Sequence, residues 1–258
     1  GLNANLAATT KNSIAVNNPQ PATGGRSAES IIEVKNNALA YFQAQQRAVT
    51  KEDYIARVYA LPPKYGNVAK AYIVQDTQLD SQSGANSDSR IINPLALNMY
   101  LLGFDANKKL VTVNQAVKEN IQTYLTQFRM VTDAINIKNA FVINIGVKFN
   151  VLTKVGYNKE EVVLKSIQRV KDFFNIDKWQ IGQPIIKSEL INTIIGVLGV
   201  QSVQDIIYNN KSGESLGYSK YKYDLQSATI DDIIYPSLDP CIFEVKYPNT
   251  DIKGQIIT

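Results

Sequence analysis

Apolar and polar residues alternate most cleanly between Phe141 and Val151, where Phe141, Ile143, Ile145, Val147, Phe149 and Val151 are interleaved with Asn144, Gly146, Lys148 and Asn150. A period of two is the signature of a strand with one buried and one wet face. Upstream, from Asn114, the period lengthens: Val117, Ile121, Tyr124, Leu125 and Phe128 fall on one face of a helix that should pack on a sheet. After the strand, Val163, Ile167, Val170 and Phe174 predict a second amphipathic helix. The segment SELINTIIGVLG is apolar nearly all round, with Ser188 placed to cap it and Gly199 to end it. A helix of that kind needs cover on every side, from the centre of the fold or from a partner. Residues 200–208 close the series as a strand, so 113–208 read as helix, strand, helix, helix, strand, an α+β sandwich.

Nearer the start of the chain, Ser27 or Ser30 caps a helix on which Ile31, Val34, Ala38 and Phe42 recur at helical spacing, a face expected in the core. Directly after it, Thr50 and Asp53 stand at capping-box spacing, with aspartate in place of the usual glutamate, and Val49 and Tyr54 occupy the staple positions. This motif has a mechanical explanation, a fixed helix start, and needs no chemistry. Pro62 and Pro63 stop that helix. Residues 68–74 and 95–101 read as strands, joined by the polar loop 77–90. The whole predicts an α+β fold with helices packed on mixed or antiparallel sheets and two interlocked subdomains. Their expected bounds are 1–112 and 113–210, with a tyrosine-rich C-terminal segment at 211–258.

Composition removes chemistry more than it adds any. The chain has no histidine, which excludes Ser-His-Asp and Cys-His catalysis, imidazole metal ligation and the commonest general base. Its single cysteine, Cys241, has no partner for a disulfide or a zinc site. The carboxylate neighbours Glu160/Glu161 and Asp231/Asp232 point about 100° apart on a helix, too far to share a site. Gly24-Gly25 lacks the Gly-Lys-Ser/Thr ending of a phosphate loop and reads as a turn. No catalytic, cofactor-binding or metal-binding residue is therefore assigned, and no cofactor or small-molecule substrate is expected. The net charge of +4 comes from 27 basic and 23 acidic residues, intermixed, unlike the basic face of a nucleic-acid binder. No apolar run reaches the roughly 20 residues that span a bilayer. The polar, small-residue opening and the lack of an initiator methionine suggest a piece of a longer protein, its C-terminal part. In the last fifty residues Tyr218, Tyr221, Tyr223, Tyr235 and Tyr247 lie among lysines and aspartates; the acids would repel a phosphate backbone, which favours a sheet edge or a subunit interface over nucleic acid.

The stretch GGRSAESIIEVKNNALAYFQAQQRAVTKEDY, with its Gly-Gly, Glu-Ser helix start and its Arg-Ala-Val-Thr-x-x-Asp-Tyr element, resembles the baseplate J-like family of contractile-tailed bacteriophages. FRMVTDAINIKNAFVINIGVKFNV, WQIGQPIIKSEL and GVLGVQSVQDI are similar to the downstream body of that family, in particular its T-even-type wedge members. The resemblance covers roughly residues 20 to 210. It implies a non-enzymatic structural subunit of the virion's tail baseplate, assembled in the host cytoplasm and bound to other wedge proteins and to itself. The residue pattern adds a two-fold dimer as the expectation, with Leu190, Ile191, Ile194, Ile195, Leu198, Tyr218, Tyr221 and Tyr223 as its interface. The other readings are a histidine-independent enzyme with a Ser-Lys or carboxylate site, and a nucleic-acid-binding module.

Overall fold

A computed structural model describes residues 47–62, 65–75, 96–130 and 133–257, with five further helical positions between 31 and 39. The fold is α+β, as the periodicities predict. Helix α1 (Lys51–Tyr59) starts at Thr50 and ends before Pro62. Strands β1 (Lys70–Gln75), β2 (Ala96–Phe104), β3 (Leu110–Val111) and β4 (Ala134–Asn139) form a four-stranded sheet, in which β4 runs parallel to β2 and the other pairings are antiparallel. Helix α2 (Gln115–Thr126) starts on Asn114, whose side chain accepts the Val117 N–H, and buries Val117, Ile121 and Leu125. These elements enclose one apolar cluster, which includes Tyr54, Val58, Ile73, Met99, Leu101, Ile121 and Ile135.

A second sheet is built on β5 (Phe141–Thr153), which pairs antiparallel with β7 (Val200–Lys211) and parallel with β10 (Cys241–Glu244) and β11 (Ile252–Ile256). Helices α3 (Lys159–Phe173) and α4 (Lys187–Ile195) pack against it, closing a larger cluster around Ile145, Phe149, Val170, Trp179, Leu190 and Phe243. A small sheet of β6 (Ile185–Ile186), β8 (Thr229–Ile230) and β9 (Ile233–Ile234) flanks α4, and the single turn α5 (Pro248–Asp251) leads into β11.

Several expectations need correction. Helix α2 and β4 pack in the first cluster although they lie beyond residue 112, and the two cores are not divided at one point of the chain, because Tyr100, Leu102 and Leu110 of β2 and β3 pack in the second. The segment after Lys211 supplies two strands to the β5 sheet. That also overturns the wet face of β5: Asn144 is fully buried and Gly146 is covered, leaving only the later part of that face open, from Lys148. Ser188 does not cap α4. The strand β6 runs straight into the helix, so Ile186 takes the cap position without a side-chain bond, and the Lys187 N–H donates to the Asp232 carbonyl. Finally, Ile31 and Val34 are helical but 86% and 50% exposed, so the expected core face finds no cover among the described residues; Phe42 lies outside them.

Candidate assembly site and a buried polar joint

The Thr50 hydroxyl accepts the Asp53 N–H at 3.2 Å, and the Asp53 carboxylate accepts the Thr50 and Val49 N–H groups at 2.9 and 3.0 Å. Those donors hold the Asp53 carboxyl below the usual carboxylate range, the Thr50 N–H contributing most. The apolar half of the staple is absent: Tyr54 is buried, its hydroxyl donating to Asp133, whereas Val49 is 63% exposed. Ala48 is the residue that turns inward, fixed by its N–H to the Phe128 carbonyl. Burial first, and the Asp133 bond second, push the Tyr54 phenol upward. Gly24 and Gly25 lie outside the described residues.

The interface residues expected on α4 divide into two sets. Leu190 and Ile194 are fully buried, and Ile191 packs partly against the same cluster. Ile195 and Leu198 are 45% and 72% exposed. Of the tyrosines, Tyr218 donates to Asp251 at 2.6 Å, Tyr221 meets the Phe141 ring edge-on at 4.8 Å, and Tyr223 packs by Phe243 and donates to the Tyr235 carbonyl. Burial and the Asp251 bond push the Tyr218 phenol up to about 12. These three rings anchor the C-terminal segment to the β5 sheet. Exposed apolar surface on and beside α4 includes Ile195 and Leu198, together with Val155 and Tyr157 in the turn after β5. Tyr157 and Leu198 flank one point, because the Gly199 carbonyl accepts the Lys154 N–H and a Cβ at Gly199 would stand 2.9 Å from the Tyr157 ring.

A polar joint between the two sheets escaped the sequence reading. Glu244 on β10 is buried, and its two oxygens accept the Leu110 N–H of β3 at 3.0 Å and the Asn144 amide of β5 at 2.8 Å. The Asn144 side-chain oxygen accepts the Ser219 N–H, and its backbone carbonyl accepts the Asn210 amide. Burial pushes the Glu244 carboxyl up, against the pull of those donors and of Lys246 and Lys109. Lys70 on β1 is also buried and donates to the Asp177 carbonyl at 3.2 Å; desolvation draws its ammonium down. Asparagine in an alternating strand gives no sequence signal for burial, because the same letter suits a wet face.

Among the described residues the groups with reactive chemistry are buried or engaged. Burial pushes the Cys241 thiol up and so away from a reactive thiolate. Both Glu244 oxygens are engaged, and no three metal-ligating side chains cluster among the described residues. A cavity of about 190 Å³ lies between β7 and the β8–β9 hairpin, where the Tyr208 hydroxyl is buried without a hydrogen-bond partner among the described residues. No described helix is long and apolar enough to cross a membrane.

No protein-family model matches the chain, and no curated protein matches it. Among solved structures, a chain in the cryo-EM structure of the anti-feeding prophage (AFP) baseplate, 6-fold symmetrised, is similar in fold, with a TM-score of 0.50. The two are 15% identical, and the match covers 88% of this chain and 44% of that one. This chain therefore spans less than half the length of the structure it matches, and at that identity the likeness is one of fold.

Proposed function

We propose that this chain is a structural subunit of a contractile-tail baseplate, a protein of the baseplate J-like kind that holds neighbouring subunits in place and turns over no substrate. The observation that carries the reading is the fold shared with the anti-feeding prophage baseplate chain over 88% of these residues. It agrees with the motif resemblance described above. A histidine-free chain whose polar side chains serve caps and joints suits a mechanical role. In this reading the chain belongs to the virion tail and is assembled in the host cytoplasm. It contacts other wedge proteins and a second copy of itself, binds no nucleic acid and needs no cofactor.

The self-association surface is narrower than the eight residues first considered. Leu190 and Ile194 serve the core, so Ile195 and Leu198, with Val155 and Tyr157 beside them, are the apolar groups of this site that meet the second copy. Sedimentation equilibrium on the 258-residue chain tests this: a dimer is expected, and Leu198→Asp should shift it to monomer while leaving the thermal transition in place. A single monomeric species at every concentration would defeat the self-association. Imaging of assembled particles tests the wider claim, which fails if the chain is absent from the baseplate.

A further inference from the structure

The later half of the β5 sheet leaves one face open, and its charges are not balanced. Lys148 on β5 stands directly opposite Lys253 on β11, and both are exposed. Like charges directly opposite on adjacent strands repel, so the pair opposes the sheet that carries it. A third lysine joins them: the stem of Lys211 lies over Gly146, its Cε 2.9 Å from where a Cβ would stand. The carboxylates on this side do not answer the three. Glu244 is buried and committed to Leu110 and Asn144, and Asp251 is buried and held by Tyr218 and the Tyr247 N–H. Asp205, opposite Asn150, is exposed but lies two pairs further along the strand from Lys148 and Ile207, and makes no ion pair among the described residues.

Lysine on an outer strand often guards against edge-to-edge pairing, which accounts for Lys253 on β11. It does not account for Lys148, which sits on β5 between β11 and β7. In the same row, opposite Lys148 on the other side, Ile207 is 47% exposed. The row therefore reads apolar, cationic, cationic across three strands. The opposite side of this sheet is the packed one, where Gly254 lets the Phe149 ring approach beneath α3, so the open face needs no part of the chain's own core.

We propose that this face, centred on Lys148 and Lys253 with Ile207 beside them, receives an acidic segment of a neighbouring protein in which a carboxylate is flanked by an apolar side chain. A carboxylate set over both ammonium groups would turn their repulsion into two charge-assisted contacts, and the apolar neighbour would cover Ile207. The inference rests on the assembly reading only in taking the partner to be a protein.

A synthetic hexapeptide alternating glutamate and leucine, titrated into the isotopically labelled chain, provides the test. Saturable binding that weakens with salt is expected, with amide shifts confined to β5, β7 and β11. The double variant Lys148→Gln/Lys253→Gln should bind roughly five- to tenfold more weakly, as for the loss of two exposed ion pairs. A peptide with glutamine for glutamate should lose binding similarly. Both lysines are exposed and repel each other, so a melting transition at or above that of the wild type confirms that the variant is folded. Absence of saturable binding, shifts centred elsewhere, or equal affinity in the double variant overturns the proposal. So does tighter binding of a single-stranded oligonucleotide at the same face. Any of these would leave the chain's presence in a baseplate, tested by imaging, unaffected.

Discussion

At the start of α1, Thr50 accepts the Asp53 N–H and Asp53 accepts the Thr50 and Val49 N–H groups, so removing either loosens the one turn that both side chains hold. Thr50→Ala should cost about 1 kcal/mol, and the double variant with Asp53→Ala should cost less than the sum of the singles. Urea midpoints measure both. The Asp53 carboxyl titrates below its usual 3.8 in the fold, so it adds stability above that value and loses it as pH falls through the folded one. The gap between wild type and Asp53→Ala should accordingly close in acid below about pH 4. Glu244 has the opposite sign. Burial raises its carboxyl above the usual 4.5, so the fold binds that proton more tightly than the unfolded chain does. Acidification from neutrality toward 4.5 therefore adds stability through this group, and Glu244→Gln should lose that pH-dependent gain. A Glu244→Gln profile parallel to wild type over that window would mean the carboxyl does not titrate there.

The elements show where local pattern suffices and where it does not. Gly199 has a φ of +98°, and a Cβ there would stand 2.7 Å from Val162 and 2.9 Å from the Tyr157 ring. Gly156 has a φ of +90° with nothing within 4 Å. Alanine at Gly156 meets only the backbone preference, about 1 kcal/mol, whereas alanine at Gly199 must also displace its neighbours and should cost roughly 1–3 kcal/mol more. Equal losses in denaturation midpoints would show that the turn at Gly199 relaxes freely. Gly199 was expected to end α4, but the helix stops at Ile195 with Gly196 as its C-cap, and Gly199 turns the chain into β7 instead; α1 and α2 were legible, because caps and 3.6-residue periods are written within a few neighbouring residues. The pairing of β10 and β11 with β5 was not legible. Cys241 lies opposite Phe141, a hundred residues away, and no local period names a partner at that distance. The same long-range cover buries Asn144 and hides the joint at Glu244. The α4 cap failed for a related reason: β9 holds β6 right up to the helix start, so tertiary pairing settles an end that Ser188 would otherwise mark.

On the scale of the whole molecule, the question is whether two apolar clusters behave as one body. Among the described residues, the first sheet is tied to the elements around the second by Leu110 to Glu244, Lys70 to the Asp177 carbonyl and the Ala140 N–H to the Leu101 carbonyl, and its Tyr100, Leu102 and Leu110 pack in the second cluster. Strands β4 and β5 follow one another with only Ala140 between, so the sheets share a continuous length of chain. Breaking the joint would strand a buried carboxylate and a buried ammonium, each costly to leave without partners. The clusters should therefore unfold together, and the single tryptophan makes this measurable. Trp179 is buried in the second cluster, stacked on Phe174 at 5.6 Å, while Ile121 is fully buried in the first. Ile121→Ala should destabilise its own cluster by about 2–5 kcal/mol. If the joint couples the two, Trp179 fluorescence and the helical circular dichroism will shift to the same lower midpoint. A Trp179 transition that stays at the wild-type midpoint while helicity is lost earlier would mean that the clusters unfold separately. The structural role proposed above expects the first behaviour, in which the molecule opens as one cooperative unit.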